Sequence, residues 1–154
     1  ANLLNLKAVA SILDIRYLES IREREGGSYS VGVSATLTKE PTNKATLSIQ
    51  FDTDPEKQEP ILAIVYQEIS EIVENGPRSE DLQKVKEIML KNFAENLEEN
   101  EWWLSALYNN YFNGFNLVDE YKKAVKGING TTIQTALKNL VQQGNVIEVT
   151  MLPE

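Results

Sequence analysis

The strongest constraint on this chain is a change of period across Gly26-Gly27. Before the glycines, Leu3, Leu6, Ala10, Leu13, Tyr17 and Ile21 recur at spacings of three and four, and Val9, Ile12 and Leu18 widen the stripe. That pattern predicts an amphipathic helix over residues 2–24. After them, Tyr29, Val31, Val33, Ala35 and Leu37 alternate with small polar residues, which predicts a strand with one apolar face. Glycine reaches the positive-φ region that ends many helices, so the pair marks a tight helix-to-strand junction. Arg22 stands on its helix side and Tyr29 on its strand side, with six residues between them.

The rest of the chain extends this start. Ala45, Leu47, Ile49 and Phe51 alternate again, and the polar loop Lys39-Glu40-Pro41-Thr42-Asn43 is short, so an antiparallel hairpin is expected. Thr53-Asp54-Pro55-Glu56 reads as a helix start, with the helix running to about 75 and stopped by Asn75-Gly76-Pro77. Ser79 is expected to cap a third helix carrying Leu82, Val85, Ile88, Met89, Phe93 and Leu97. A fourth, around 100–113, carries Trp102, Trp103, Leu107, Tyr108 and Tyr111 and breaks at Asn113-Gly114. A short helix near 117–125 and one from a Thr131/Gln134 capping box to about 142 follow. Gln142 to Asn145 is a turn, and Val146 to Leu152 is expected as a last strand, ended by Pro153.

This order predicts an α+β fold, a mainly antiparallel sheet with helices packed on one face. At 154 residues one domain, 1–154, is expected. Three strands are few for so many helices, and the chain enters a core-type helix from Ala1 rather than Met. Both features suggest a truncated domain whose N-terminal strands are missing.

Composition narrows the function classes. With 23 acidic and 15 basic residues the net charge is -8, which disfavours nucleic acid and anionic lipid as partners. No apolar run approaches the roughly 20 residues of a membrane span. The chain has no histidine and no cysteine. A His- or Cys-ligated metal site and a His-based triad therefore cannot be assembled from this chain alone. Zero cysteine is neutral on compartment.

The densest chemistry lies at the junction. A guanidinium is permanently charged and carries five donors, and a phenol adds one oriented donor. Bland roles are open to both residues. Arg22 near a helix C-terminus interacts favourably with the helix dipole or pairs with Glu19 or Glu25, and Tyr29 on the apolar strand face can be core. Arg24 is the competing cation. Lower-ranked candidates are Trp102-Trp103 for substrate binding, Asn109, Asn110 and Tyr111 as cleft lining, and the acidic group Glu95, Glu98, Glu99 and Glu101 for a hard cation. Gly26-Gly27 is not a phosphate loop, because no strand precedes it and no Gly-Lys-Ser/Thr follows.

Leu18-Glu19-Ser20-Ile21-Arg22-Glu23 and Ser28-Tyr29-Ser30-Val31, together with the order of elements, resemble the pitrilysin–insulinase family of zinc metallopeptidases, which includes mitochondrial processing peptidase. The bacterial zinc-protease branch is the nearest in pattern. The resemblance extends over the hairpin, Asp54-Pro55, the Gly76-Pro77-x-Ser79-x-x-Leu82 helix start and the Val146–Glu154 ending. It implies a two-half enzyme. One half carries an inverted His-x-x-Glu-His zinc motif. The other, lacking zinc, contributes an arginine at a helix end and a tyrosine at the next strand, which map onto Arg22 and Tyr29.

The expectation that follows is the zinc-less C-terminal half of a metalloendopeptidase, inactive alone and without a complete catalytic set. Its partner would be a zinc-bearing N-terminal half in the same polypeptide or another subunit, and its substrate a peptide. The alternative is a catalytically inactive scaffold or protein-interaction module of the same fold. The family half-domain normally opens with one or two strands before its long helix, and here they are absent.

Overall fold

A computed structural model of the chain describes residues 2–25, 30–38, 41–114, 116 and 118–151, without the side chains of residues 2, 22–25 and 113. The first helix, α1 (Asn2–Glu25), is followed by strands β1 (Val31–Thr38) and β2 (Lys44–Phe51). These form an antiparallel hairpin with Val31 opposite Phe51 and Thr38 opposite Lys44. A 3-10 turn, Pro55–Lys57, leads into α2 (Gln58–Asn75), and α3 (Ser79–Asn96), α4 (Asn100–Asn113), α5 (Tyr121–Gly127) and α6 (Gly130–Val141) complete the order. Among the described residues the fold is α+β, six helices with a two-stranded antiparallel sheet.

The core is built around α1. Its stripe Val9, Ile12, Leu13, Tyr17 and Ile21 is buried against Ile61, Ile64 and Ile72 of α2, Val85 of α3 and Ile133 and Leu137 of α6. The hairpin lies on the same helix. Val31 and Val33 of β1 and Leu47, Ile49 and Phe51 of β2 pack on the cluster while the alternate residues Gly32, Ser34, Ser48 and Gln50 face solvent. This is the period-two alternation translated into one apolar face. Burial raises the Tyr17 phenol's pKa, the nearby Glu68 charge adds to the rise, and the neutral hydroxyl donates to the Val65 carbonyl at 3.1 Å.

Several boundaries differ from the sequence reading for identifiable reasons. Arg78, not Ser79, is the N-cap of α3, in an extended conformation with no side-chain cap bond. The capping box of α6 is Asn129 with Thr132: the Asn129 side chain accepts from the Thr132 amide at 3.0 Å, and the Thr132 hydroxyl accepts from the Asn129 amide at 3.0 Å. Gln134 is thereby freed to donate to the Val73 and Glu74 carbonyls, both at 3.0 Å, closing the C-terminal end of α2. The short helix expected near 117 starts only at Tyr121, because the Asn116 side chain turns the backbone first by accepting from the amides of Val118 and Asp119. Leu18 and Ile88, assigned to apolar stripes, are exposed.

The largest departure is the C-terminal segment. Residues 145–151 form no strand. Strand structure exists only through pairing, and among the described residues no main-chain partner lies beside this segment. Side chains hold it along α2 instead: Gln58 donates to the Thr150 hydroxyl at 2.8 Å and Tyr66 donates to Glu148. That bond to Glu148, more than any burial, raises the Tyr66 pKa. Residues 148 and 150 therefore face α2, and Ile147, Val149 and Met151 point to solvent.

Candidate functional site

The helix-to-strand junction is framed on both sides. On the helix side, Ile21 is buried in the last described turn of α1 side chains, and the Arg22 backbone continues the helix. On the strand side, Val31 pairs with Phe51, and the hairpin ladder reaches one residue further back, where the Asp52 amide donates to the Ser30 carbonyl at 3.4 Å. The Ser30 hydroxyl also donates to the Asp52 carboxylate at 3.2 Å. Tyr29, Gly26, Gly27 and Ser28 lie outside the described residues, as do the side chains of Arg22 and Arg24. Glu19, one of the two carboxylates available to Arg22, is engaged by Arg78 at 3.1 Å.

Within two turns before Arg22 lies a buried ionic group not picked out in the sequence. Arg16 Nε donates to one carboxylate oxygen of Glu68, and the Ser20 hydroxyl donates to the other. Both members of the ion pair are almost fully buried. The signal was available, since Arg16 falls four residues after Ile12 on the stripe of α1, and Glu68 falls three after Val65 on that of α2. Opposite charges on two facing apolar stripes mark a cross-helix pair. It ties α1 to α2 directly beneath the helix end that carries Arg22.

Asp81 joins this region from α3. It is 4% exposed, and among the described residues its Oδ2 has no hydrogen-bond partner. Burial is the main cause of its raised pKa. Arg78 and Arg16 oppose the rise, and Glu19 and Glu80 add to it. A carboxyl whose pKa is higher folded than unfolded contributes its stability at low pH, and loses it as pH rises through the folded value. At neutral pH the charged Asp81 is therefore a net liability. Asp81→Asn is expected to raise Tm at pH 7, with the gain fading on acidification to about pH 4. Thermal denaturation across that range checks this, and an unchanged or lower Tm for the variant at pH 7 rules it out.

The remaining candidates separate. Trp102 is half-buried and meets Phe93 edge-on at 5.6 Å, while Phe93 stacks on Tyr121 at 4.4 Å; together they wall a shallow cleft with Leu3, Lys7 and Asn96. Trp103 is more exposed and donates to the Leu97 carbonyl at 2.9 Å. Asn110 and Tyr111 are exposed, and neither lines that cleft. Asn109 donates to the Ser105 carbonyl at 2.8 Å. Glu95 pairs with Lys91 at 3.7 Å, and among the described residues no group of three or more metal-ligating side chains converges.

A long central helix followed by an antiparallel hairpin and further helices defines the class, an α+β domain. The family model described as the Peptidase M16 inactive domain matches residues 10–89, and the chain belongs to that family. The match contains the whole junction. A "Zinc protease PQQL-like" protein of Arabidopsis thaliana is 27% identical over 108 residues, which cover 67% of this chain and 11% of the plant protein.

Two solved structures share the fold. The periplasmic protease PqqL from Escherichia coli superposes with a TM-score of 0.72 at 16% identity, over 89% of this chain and 15% of that one. The peptidase M16 inactive domain from Pseudomonas fluorescens gives 0.59 at 19% identity, over 86% of this chain and 33% of that one. The chain thus spans a small part of the relatives it matches. No helix among its described residues is long and apolar enough to cross a membrane.

Proposed function

We propose that this chain is the zinc-less half of a metallopeptidase, completing a peptide-binding cleft opposite a zinc-bearing half and lending the Arg22 guanidinium and the Tyr29 phenol to the substrate carbonyl. The observation that carries the reading is the framed junction within an inactive-domain family match. Arg22 follows a buried anchor, Ile21, and Tyr29 precedes a strand already paired to its neighbour. Donors positioned in advance lose little freedom when an oxyanion develops, which is the basis of electrostatic catalysis. In the partner half, zinc would polarise the carbonyl and activate water. Both edges of the hairpin are open among the described residues, so an extended peptide can add to one of them as a strand.

The test is peptide hydrolysis by this chain combined with a His-x-x-Glu-His half. Arg22→Ala and Tyr29→Phe are each expected to lower kcat/KM by about 10²-fold, the scale for removing one oxyanion donor. Near-wild-type efficiency in both would sink the assignment. A selective loss in Arg24→Ala would move the role to the competing cation.

A further inference from the structure

We propose that the outer face of α4 is a self-association surface, and that two copies of this chain pair through antiparallel α4 helices. This is independent of the zinc-half reading. The starting observation is that α4 is apolar on both sides. Trp102 and Ala106 turn inward, while Leu104, Leu107, Tyr108, Tyr111 and Phe112 form the opposite face. Leu104 is 73% exposed, Tyr111 82% and Phe112 75%. A helix apolar all round is normally buried all round. Its sequence gives it little helicity of its own, with four asparagines, two tryptophans, two tyrosines and a phenylalanine in 14 residues. Packing must hold it, and its inner contacts are few, chiefly the edge of Trp102 on Phe93 and the Trp103 bond to the Leu97 carbonyl.

Area and charge select a second copy as the occupant. The exposed ridge presents on the order of 700 Å², larger than the patches usual on monomers and close to the ~800 Å² each partner brings to a stable interface. Residues 102–113 carry no charge in a chain that is 25% charged. A two-fold, isologous contact centred there brings no like charges together. With α4 antiparallel, the acidic residues Glu98, Glu99 and Glu101 of one copy lie at the end away from those of the other. The stacked Tyr108–Phe112 pair, 4.6 Å apart, supplies a preformed aromatic anchor, and the tyrosine hydroxyls remain at the wet rim.

Sedimentation and light scattering over a concentration series test this, with tryptophan emission as a second readout, because both tryptophans lie on α4. A dimer is expected, with emission shifting to the red on dilution. Salt should strengthen the association, since two copies of charge -8 repel until screened. Leu104→Glu and Tyr111→Glu, both on exposed positions, should each weaken dimerisation at least about 30-fold. Ile147→Glu, on the unpaired C-terminal segment, should leave it unchanged. A monomer at every concentration overturns the proposal. So does a dimer insensitive to both α4 variants, or one broken by Ile147→Glu, which would mean pairing through an added strand.

Discussion

Glu68→Ala is expected to be the most damaging single substitution in the molecule, costing about 3–5 kcal/mol of folding stability. The Arg16–Glu68 pair is almost fully buried, and the Ser20 hydroxyl satisfies the second carboxylate oxygen. Removing Glu68 leaves a guanidinium that is always charged, cannot lose its proton and is almost fully buried. A drop in Tm of roughly 6–20 °C should follow in a chain of this size. The double variant Arg16→Met/Glu68→Leu should recover most of that loss, because a packed apolar pair removes two desolvation penalties at once. Chemical denaturation of the single and double variants measures both effects. A mild Glu68→Ala, below about 1 kcal/mol, would mean the pair is solvated in the folded protein. The functional corollary is positional: Arg16 lies less than two turns before Arg22 on the same helix, so loosening the pair should also disturb the junction.

Ile12→Ala is the second large expectation, at about 2–5 kcal/mol. Ile12 is fully buried in the helix that α2, α3, α6 and the hairpin all pack against. A cavity there cannot collapse easily, because the surrounding side chains come from several elements already fixed by their own contacts. Ile88→Ala is the informative contrast. The apolar spacing assigns Ile88 to the core of α3, yet it is exposed, so its truncation should cost less than about 1 kcal/mol. Equal losses at the two positions would mean that Ile88 is covered in solution, as self-association near α3 would bring about.

These cases mark where local pattern succeeds as a guide and where it fails. Spacing placed α1, the hairpin and the limits of α2, α3 and α4 closely, because helix and strand periods are properties of the local backbone. It failed at Leu18 and Ile88, because an apolar stripe wider than the available neighbours leaves some members in water. Capping was misassigned by one residue at α3 and by two at α6. Ser79, Thr131 and Asn129 all carry a side-chain oxygen suited to a cap, and backbone conformation selects among them. At the candidate site, the sequence displayed Arg22, Tyr29 and the glycine turn. The Arg16–Glu68–Ser20 group left a trace in the spacing, but its members and Asp81 were joined only when three helices were brought together.

By itself, the sequence determined the α+β order, the helix-to-hairpin junction, the lack of histidine and cysteine, and the family those features resemble. Each depends on residue identity and short-range spacing alone. Tertiary structure decided which apolar faces are covered. Residues 147–151 alternate as β1 does, but β1 lies on α1 and pairs with β2, whereas described residues 146–151 find no main-chain partner. The α4 helix carries two apolar faces, and only the inner one meets the core. Pairing and burial join residues far apart in the chain, so a one-dimensional pattern can propose them but not choose among them.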